Sequence, residues 1–264
     1  MPPINAATHA ALATAITAAA VVTAFAMPVP AMANGHDDSN IVISNGHGDM
    51  VKGSGHEVAM TRAVGAFTSI RVEGPLDVHA HPGAPGSVVV KADDNIQHFI
   101  ETSLDGNVLV LKLARNATFQ TNHNLAVDVP FSQLAAVSIR GSGDVHLDDL
   151  TAPRFEASVS GSGDLRMDRA AVGSLSGDIA GSGDVTLVGR ADEAHYAIAG
   201  SGDMHADKLV AKRVSVSISG SGDAAVHATE SLEARIAGSG DIRYAGNPPQ
   251  VNRHVAGSGE IEPM

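Results

Sequence analysis

From about Phe67 onward, apolar and polar residues alternate with a period of two, the mark of strands with one buried face. A Gly-Ser-Gly-Asp tetrad interrupts the alternation. It starts at Gly141, Gly161, Gly181, Gly200, Gly220 and Gly238, and a seventh copy at Gly257 ends in Glu260. Successive starts lie 20, 20, 19, 20, 18 and 19 residues apart. Aligned on the acidic residue, the next position reads Val145, Leu165, Val185, Met204, Ala224, Ile242 and Ile261. The position after that turns mostly polar or small: His146, Arg166, Thr186, His205, Ala225, Arg243 and Glu262. Two places before each tetrad stand Ile139, Val159, Ile179, Ile198, Ile218, Ile236 and Val255. Each repeat therefore reads as two short strands joined through a glycine corner.

A unit of this size cannot bury its apolar face alone, so copies must stack, each pairing its backbone with the rungs above and below at about 4.8 Å. Seven rungs would rise roughly 34 Å. Same-sense crossovers are right-handed. The pattern predicts an all-β chain folded as a right-handed parallel β-helix, or β-solenoid, with rungs of about 20 residues and Gly-Ser-Gly-Asp corners. An antiparallel sandwich or barrel explains the alternation but not the constant spacing of identical turn residues. Glycine reaches positive φ without a Cβ clash, so the tetrad serves as a bend that keeps small groups over small groups. Its serines can form a hydroxyl ladder, and each Asp can accept a hydrogen bond from nearby amides.

The rest of the chain falls into place around this coil. Residues 1–33 read as a signal peptide: an Ala-rich apolar stretch, then Ala31-Met32-Ala33 as an A-x-A cleavage pattern, although no Lys or Arg precedes the apolar stretch. Residues 34–60 are polar and Gly-rich and read as a flexible lead-in. Residues 61–264 form a single β-solenoid domain, with N-terminal rungs over 61–135 and tetrad rungs over 136–264. In the first part "FTSIRVEG", "GSVVVKADD" and "NVLVLKLA" are strands that either begin the coil or cap it. Glu260, Glu262 and Pro263 on the final rung discourage further edge pairing, which leaves a side face for homo-oligomer formation.

Composition narrows the function. The chain has no cysteine, hence neither a disulfide framework nor a lipoprotein attachment site, and its stability must come from stacking. A formal charge of -12, with no basic run, argues against nucleic acid as a partner. No integral membrane domain remains once the leader is removed.

The residues also resemble a known family. "VKGSG" at 51–55, "FTSIRVEGPLDVHAH", "VDVPFSQLAAVSIRGSGD" and "IRYAGNPPQVNRHVAGSGEI" are similar to the bacterial family called "head GIN domain, putative autotransporter adhesin", as is the late Tyr244, Gly246, Pro248 pattern after the tetrad ladder. The resemblance spans about residues 51–262 and implies an exported right-handed β-helix with no catalytic residues to carry over. A self-exporting adhesin needs a membrane barrel, and this length leaves no run of alternating segments with aromatic girdles to build one.

Candidate chemistry follows from the columns. Asp144, Asp164, Asp184, Asp203, Asp223 and Asp241 would lie about 4.8 Å apart, where like charges repel by about 0.9 kcal/mol in water and about 3.5 kcal/mol at an effective dielectric of 20. Amide donors with full solvation would relieve this; so would Ca²⁺ between rungs, for which these six residues are the candidate ligands. His79 and His81 in "DVHAHPG" point to one face and could supply half a metal site, while His36, His47 and His56 lie in the lead-in. The tetrad lacks the third glycine of a dinucleotide loop and the Lys of a P-loop. A serine present seven times in a ladder is structural rather than nucleophilic, and two Tyr with no Trp give little for sugar stacking. The expectation is a non-enzymatic binding, adhesion-like or envelope-structural module, periplasmic, at the cell surface or secreted, with no catalytic residue and no cofactor. Its partner stays open between cell-envelope or extracellular glycan and protein. The alternatives are a periplasmic polysaccharide-active β-helix enzyme and a calcium-stabilised structural protein.

Overall fold

The computed structural model describes residues 41–44 and 50–264. The proposed signal peptide lies outside the described residues. Among those described, no helix is long and apolar enough to cross a membrane.

The tetrad region is a β-solenoid of parallel rungs. The strands Thr151–Gly161, Leu165–Gly181, Val185–Gly200, Met204–Gly220 and Ala224–Gly238 pair in parallel, each with the next, and every tetrad glycine lies over its counterpart. The β-branched file Val72, Ile139, Val159, Ile179, Ile198, Ile218 and Ile236 runs up the interior, like over like, and is fully buried. Branched side chains stiff at χ1 suit such a pleated stack, and burying each stabilises by about 1.5 to 3 kcal/mol. Volumes also compensate between rungs. Gly177 lies over Tyr196, and a Cβ on Gly177 would approach the Tyr196 ring to 3.1 Å.

The rung differs from the two-strand unit that alternation suggested. Inward positions keep step two along Leu165 and Met167, jump by three to Ala170 and Val172, and jump by three again to Leu175, Gly177 and Ile179. Each jump turns the chain, so a rung has three faces; the pairing shifts register at the first bend, between Met167 and Ala170, and keeps it through the second. At one bend Arg169 sits at φ 54 above Asp149 at φ 34, the left-handed region; the Arg169 guanidinium donates to both carboxylate oxygens of Asp149 and holds that carboxyl below its ordinary range.

The tetrad corner is closed by backbone. Gly161 has φ 136, and a Cβ there would lie 2.2 Å from the Gly141 carbonyl oxygen. The amides of Ser162 and Gly163 both donate to that carbonyl, at 2.9 and 3.1 Å, and the pattern recurs up the stack. The serines thus stack through their amides; among the described residues no tetrad hydroxyl bonds to the next, contrary to the expected hydroxyl ladder.

The N-terminal strands do not follow in rung order. Ser69–Glu73 and Asp77–Pro82 form one rung, and the chain then passes to the level on its outer side. There Val108–Leu113 pairs parallel with Ser69–Glu73, and Ala126–Phe131 with Asp77–Pro82. It returns to lay Ala136–Gly141 and Val145–Leu147 on the opposite edges of the same rung. Antiparallel strands complete the outer end: Glu57–Ala63 on Ser87–Asp93, and Ile100–Asp105 on Val108–Leu113. Three strands fall within the stretch read as flexible lead-in: Ile41–Ser44 and Val51–Lys52 pair with Thr118–Thr121, and Glu57–Ala63 begins there. At the other end Gln250–Gly257 pairs only with Ala224–Gly238, so its far edge is open.

Candidate functional site

Stacking turns the acidic column into a hydrogen-bonded file. The amide of Asp164 donates to Oδ1 of Asp144 at 2.9 Å, and Asp184, Asp203, Asp223, Asp241 and Glu260 each donate to the Asp one rung earlier at 2.8 Å. In return, the residue after each Asp donates its amide to the next Asp's carbonyl, as Val145 does to Asp164 at 2.8 Å. All six candidate calcium ligands therefore lie on one file, and each has one carboxylate oxygen engaged by an amide.

The file begins one rung earlier than the tetrads do. Asp77 accepts the amide of Asp144 at 3.2 Å. Burial pushes the Asp77 carboxyl above its usual range and the neighbouring Asp144 charge adds to this, against the lowering effect of the amide. The signal was present in the text: "VEGPLDVHA" aligns with "IRGSGDVHL", so Gly74-Pro75-Leu76-Asp77 is a tetrad without its Ser and second Gly.

Beside this file runs the outward column two residues after each Asp. Pairing register places Asp128, His79, His146, Arg166, Thr186, His205, Ala225, Arg243 and Glu262 in one line. At its N-terminal end the side chains form a zipper of imidazoles and carboxylates. Asp128 Oδ1 lies 3.2 Å from His81 Nε2 and 3.3 Å from His79 Nδ1. The other nitrogen of His79, Nε2, is 2.9 Å from Asp148 Oδ2. Asp148 Oδ1 is 3.3 Å from His146 Nε2, which is also 2.9 Å from Asp168 Oδ2. Arg166 closes the zipper at 3.1 Å from Asp168 Oδ1. The bond from His146, reinforced by Arg166, holds the Asp168 carboxyl below its ordinary range.

The expected pair His79 and His81 does share a face, with ring centroids 5.3 Å apart, but Asp128 stands between them. The second imidazole close to His79 is His146 of the neighbouring rung, with centroids 5.5 Å apart. His79, His146 and Asp148 are, among the described residues, the one group of three His, Asp or Glu whose ligand atoms all lie within 4.8 Å of one another. Sequence reading placed His146 in its column without pairing it to His79, because the return of the chain to the 69–82 rung was not visible in the spacing. Between the two files lies a shallow cleft of about 280 Å³ lined by Asp77, His79, Lys91, Asp128, Asp144 and His146. Near the other end a smaller hollow of about 130 Å³ lies between Asp203, His205, Asp223, Asp241 and Arg243. Tyr244 is buried under Arg253, whose guanidinium sits 5.1 Å from the ring centroid.

Solved structures share this architecture. A Bacteroides fragilis protein described as a "putative adhesin" is similar over 81% of this chain and all of its own, with 25% identity and a TM-score of 0.78. A "putative adhesin" of Parabacteroides distasonis matches over 82% of this chain and 100% of its own, at 26% identity and a TM-score of 0.67. A "putative lipid binding protein" of the same organism, at 23% identity, covers 82% of this chain and 100% of its own with a TM-score of 0.69, a likeness of fold. A comparison with curated proteins finds no match. Residues 66–248, which hold the misordered first rung and six of the seven tetrads, match the family described as "Putative auto-transporter adhesin, head GIN domain", and the chain belongs to that family.

Proposed function

We propose that this chain is an exported, non-enzymatic binding module of the cell envelope, adhesion-like in action, whose outward polar column is the contact face. One observation carries the reading: a file from Asp128 to Glu262 holds charged or polar groups at every rung but that of Ala225, at the rung spacing of about 4.8 Å, on a scaffold whose interior is closed by aliphatic stacking. Such a face suits a partner that itself repeats, such as an envelope or extracellular glycan, because several weak polar contacts in register add without ordering a loop. The family and the neighbouring structures support a binding role of this kind.

Less supports the rival readings. A polysaccharide-active enzyme on such a coil would gather its acid and base in a groove, whereas here His79, His146 and Asp128 of the cleft are paired within the zipper. Calcium between the Asp rungs would compete with an amide bond already made by each carboxylate.

Glycan-array binding with the full chain tests the proposal. Binding to a repeating glycan is expected, and it should drop at least tenfold in Arg166→Glu/Arg243→Glu and not in Arg154→Glu, which lies outside the column. Binding unaffected by the column variants would overturn the contact face. Capture of a protein but of no glycan would overturn the choice of partner.

A further inference from the structure

Two imidazoles of the zipper converge on one carboxylate, that of Asp148. His79 Nε2 and His146 Nε2 both turn toward Asp148, at 2.9 and 3.3 Å from its two oxygens. Ligands around a tetrahedral Zn²⁺, each about 2.0 to 2.1 Å from the ion, stand roughly 3.3 Å from one another. Each imidazole nitrogen thus stands at about that spacing from an Asp148 oxygen, and one ligand atom from each of the three residues lies within 4.8 Å of the other two. We propose that His79, His146 and Asp148 form a binding site for a divalent late transition ion of the Zn²⁺ class, bridging the 69–82 rung to the one that returns onto it.

Four features favour that chemistry. Two imidazoles with a carboxylate select zinc-like ions over calcium, which takes oxygen ligands in larger number. Both histidines sit on strands paired in register, His79 opposite His146, so their relative position is set by backbone hydrogen bonds. Nδ1 of His79 faces Asp128 Oδ1 at 3.3 Å, the outer carboxylate that fixes the tautomer of a metal-bound histidine and leaves Nε2 free to ligate. Finally, the rings are about half exposed, at 49% and 45%, so water or Asp168 completes the coordination sphere and the ion has a path in. His79 and His146 belong to the outward column, but the metal site rests on their donor set alone and not on that column being a contact face.

Co²⁺ and Zn²⁺ titrations of the full chain test this. Wild-type protein is expected to develop the intense visible bands of four-coordinate Co²⁺, which stoichiometric Zn²⁺ abolishes. His79→Ala and His146→Ala should each lose the bands and one equivalent of Zn²⁺ in equilibrium dialysis. Asp148→Asn should weaken binding at least tenfold, and His205→Ala, farther along the same column, should bind as wild type. Circular dichroism without metal reports whether each variant is folded, and Asp148→Asn preserves shape if an alanine variant does not fold. Bands and stoichiometry unchanged in His79→Ala and His146→Ala would overturn the site. So would the absence of bands in the wild type, or binding that vanishes only when His36, His47 and His56 are replaced.

Discussion

The coil and its N-terminal cap solve the same problem by different means. From Thr151 to Gly238, glycine carbonyls receive the Ser and Gly amides of the next tetrad, the side chains that join the corners are exposed, and the buried side chains are apolar but for the Tyr196 hydroxyl. In the cap, residues 87–131, the chain reverses direction and no identical neighbour supplies partners. There the buried polar side chains of the described residues are found: Asp93, Gln97, Thr118 and Thr121. The Gln97 amide nitrogen donates to the carbonyls of Val58 and Val90, at 3.0 and 2.9 Å, and Asp93 accepts from the Thr121 hydroxyl and pairs with His123, both at 2.6 Å. Aromatic residues divide in the same way. Phe99, Phe119 and Phe131 fill the cap, and the coil interior past Phe155 is aliphatic except for Tyr196 and Tyr244. Repetition lets the backbone satisfy itself; irregularity requires buried side chains chosen one by one.

That contrast can be broken at either end. The largest effect is expected from Gly183→Val in the coil, because even a Cβ there would stand 2.1 Å from the Gly163 carbonyl oxygen, backbone that cannot yield. Chemical denaturation should show a loss of about 3 kcal/mol or more. Gln97→Met in the cap keeps the volume but leaves the Val58 and Val90 carbonyls without their donor, and should cost about 2 to 3 kcal/mol in the same assay. Asp164→Ala removes one acceptor from an exposed file, where water replaces it, and should cost only about 1 kcal/mol; Asp164→Asn, which keeps an oxygen for the Asp184 amide, should be near neutral.

The smallest effect sharpens the boundary between the two regions. Burial, helped by the Asp144 charge, raises the Asp77 carboxyl in the folded state, so the folded protein holds that proton more tightly than the unfolded chain. Asp77 therefore lowers stability as pH rises from the ordinary Asp range through its raised folded value, and the penalty is complete above it. Asp77→Asn removes this dependence. Its melting temperature should gain on wild type at pH 7 and not at pH 3, and a difference that grows toward acid would contradict the burial.

Much of the coil was legible because its rules are local. Two-residue alternation, constant spacing and paired glycines specify parallel stacking, and the six aspartates fall on one file as their column implies. Three features were hidden for physical reasons. The extra bends within each rung show only as three-residue jumps between apolar positions, such as Met167 to Ala170, which resemble ordinary irregularity. The first rung carries Pro75 and Leu76 in place of Ser and Gly, so a search for the tetrad passes over Asp77. The zipper depends on chain order: His79 meets His146 only because residues 87–131 pass to the far side of their rung, and spacing along the sequence carries no trace of that return.

One outward column rises along the coil at one step per rung. The cysteine-free chain permits a clean test with nitroxides on Arg166→Cys and Glu262→Cys, which stand at the ends of the file running through Thr186, His205, Ala225 and Arg243. Five steps place their backbones about 24 Å apart. Pulsed dipolar spectroscopy should give a single narrow distribution near that separation, whereas a broad distribution, or a peak beyond about 35 Å, would contradict the stack.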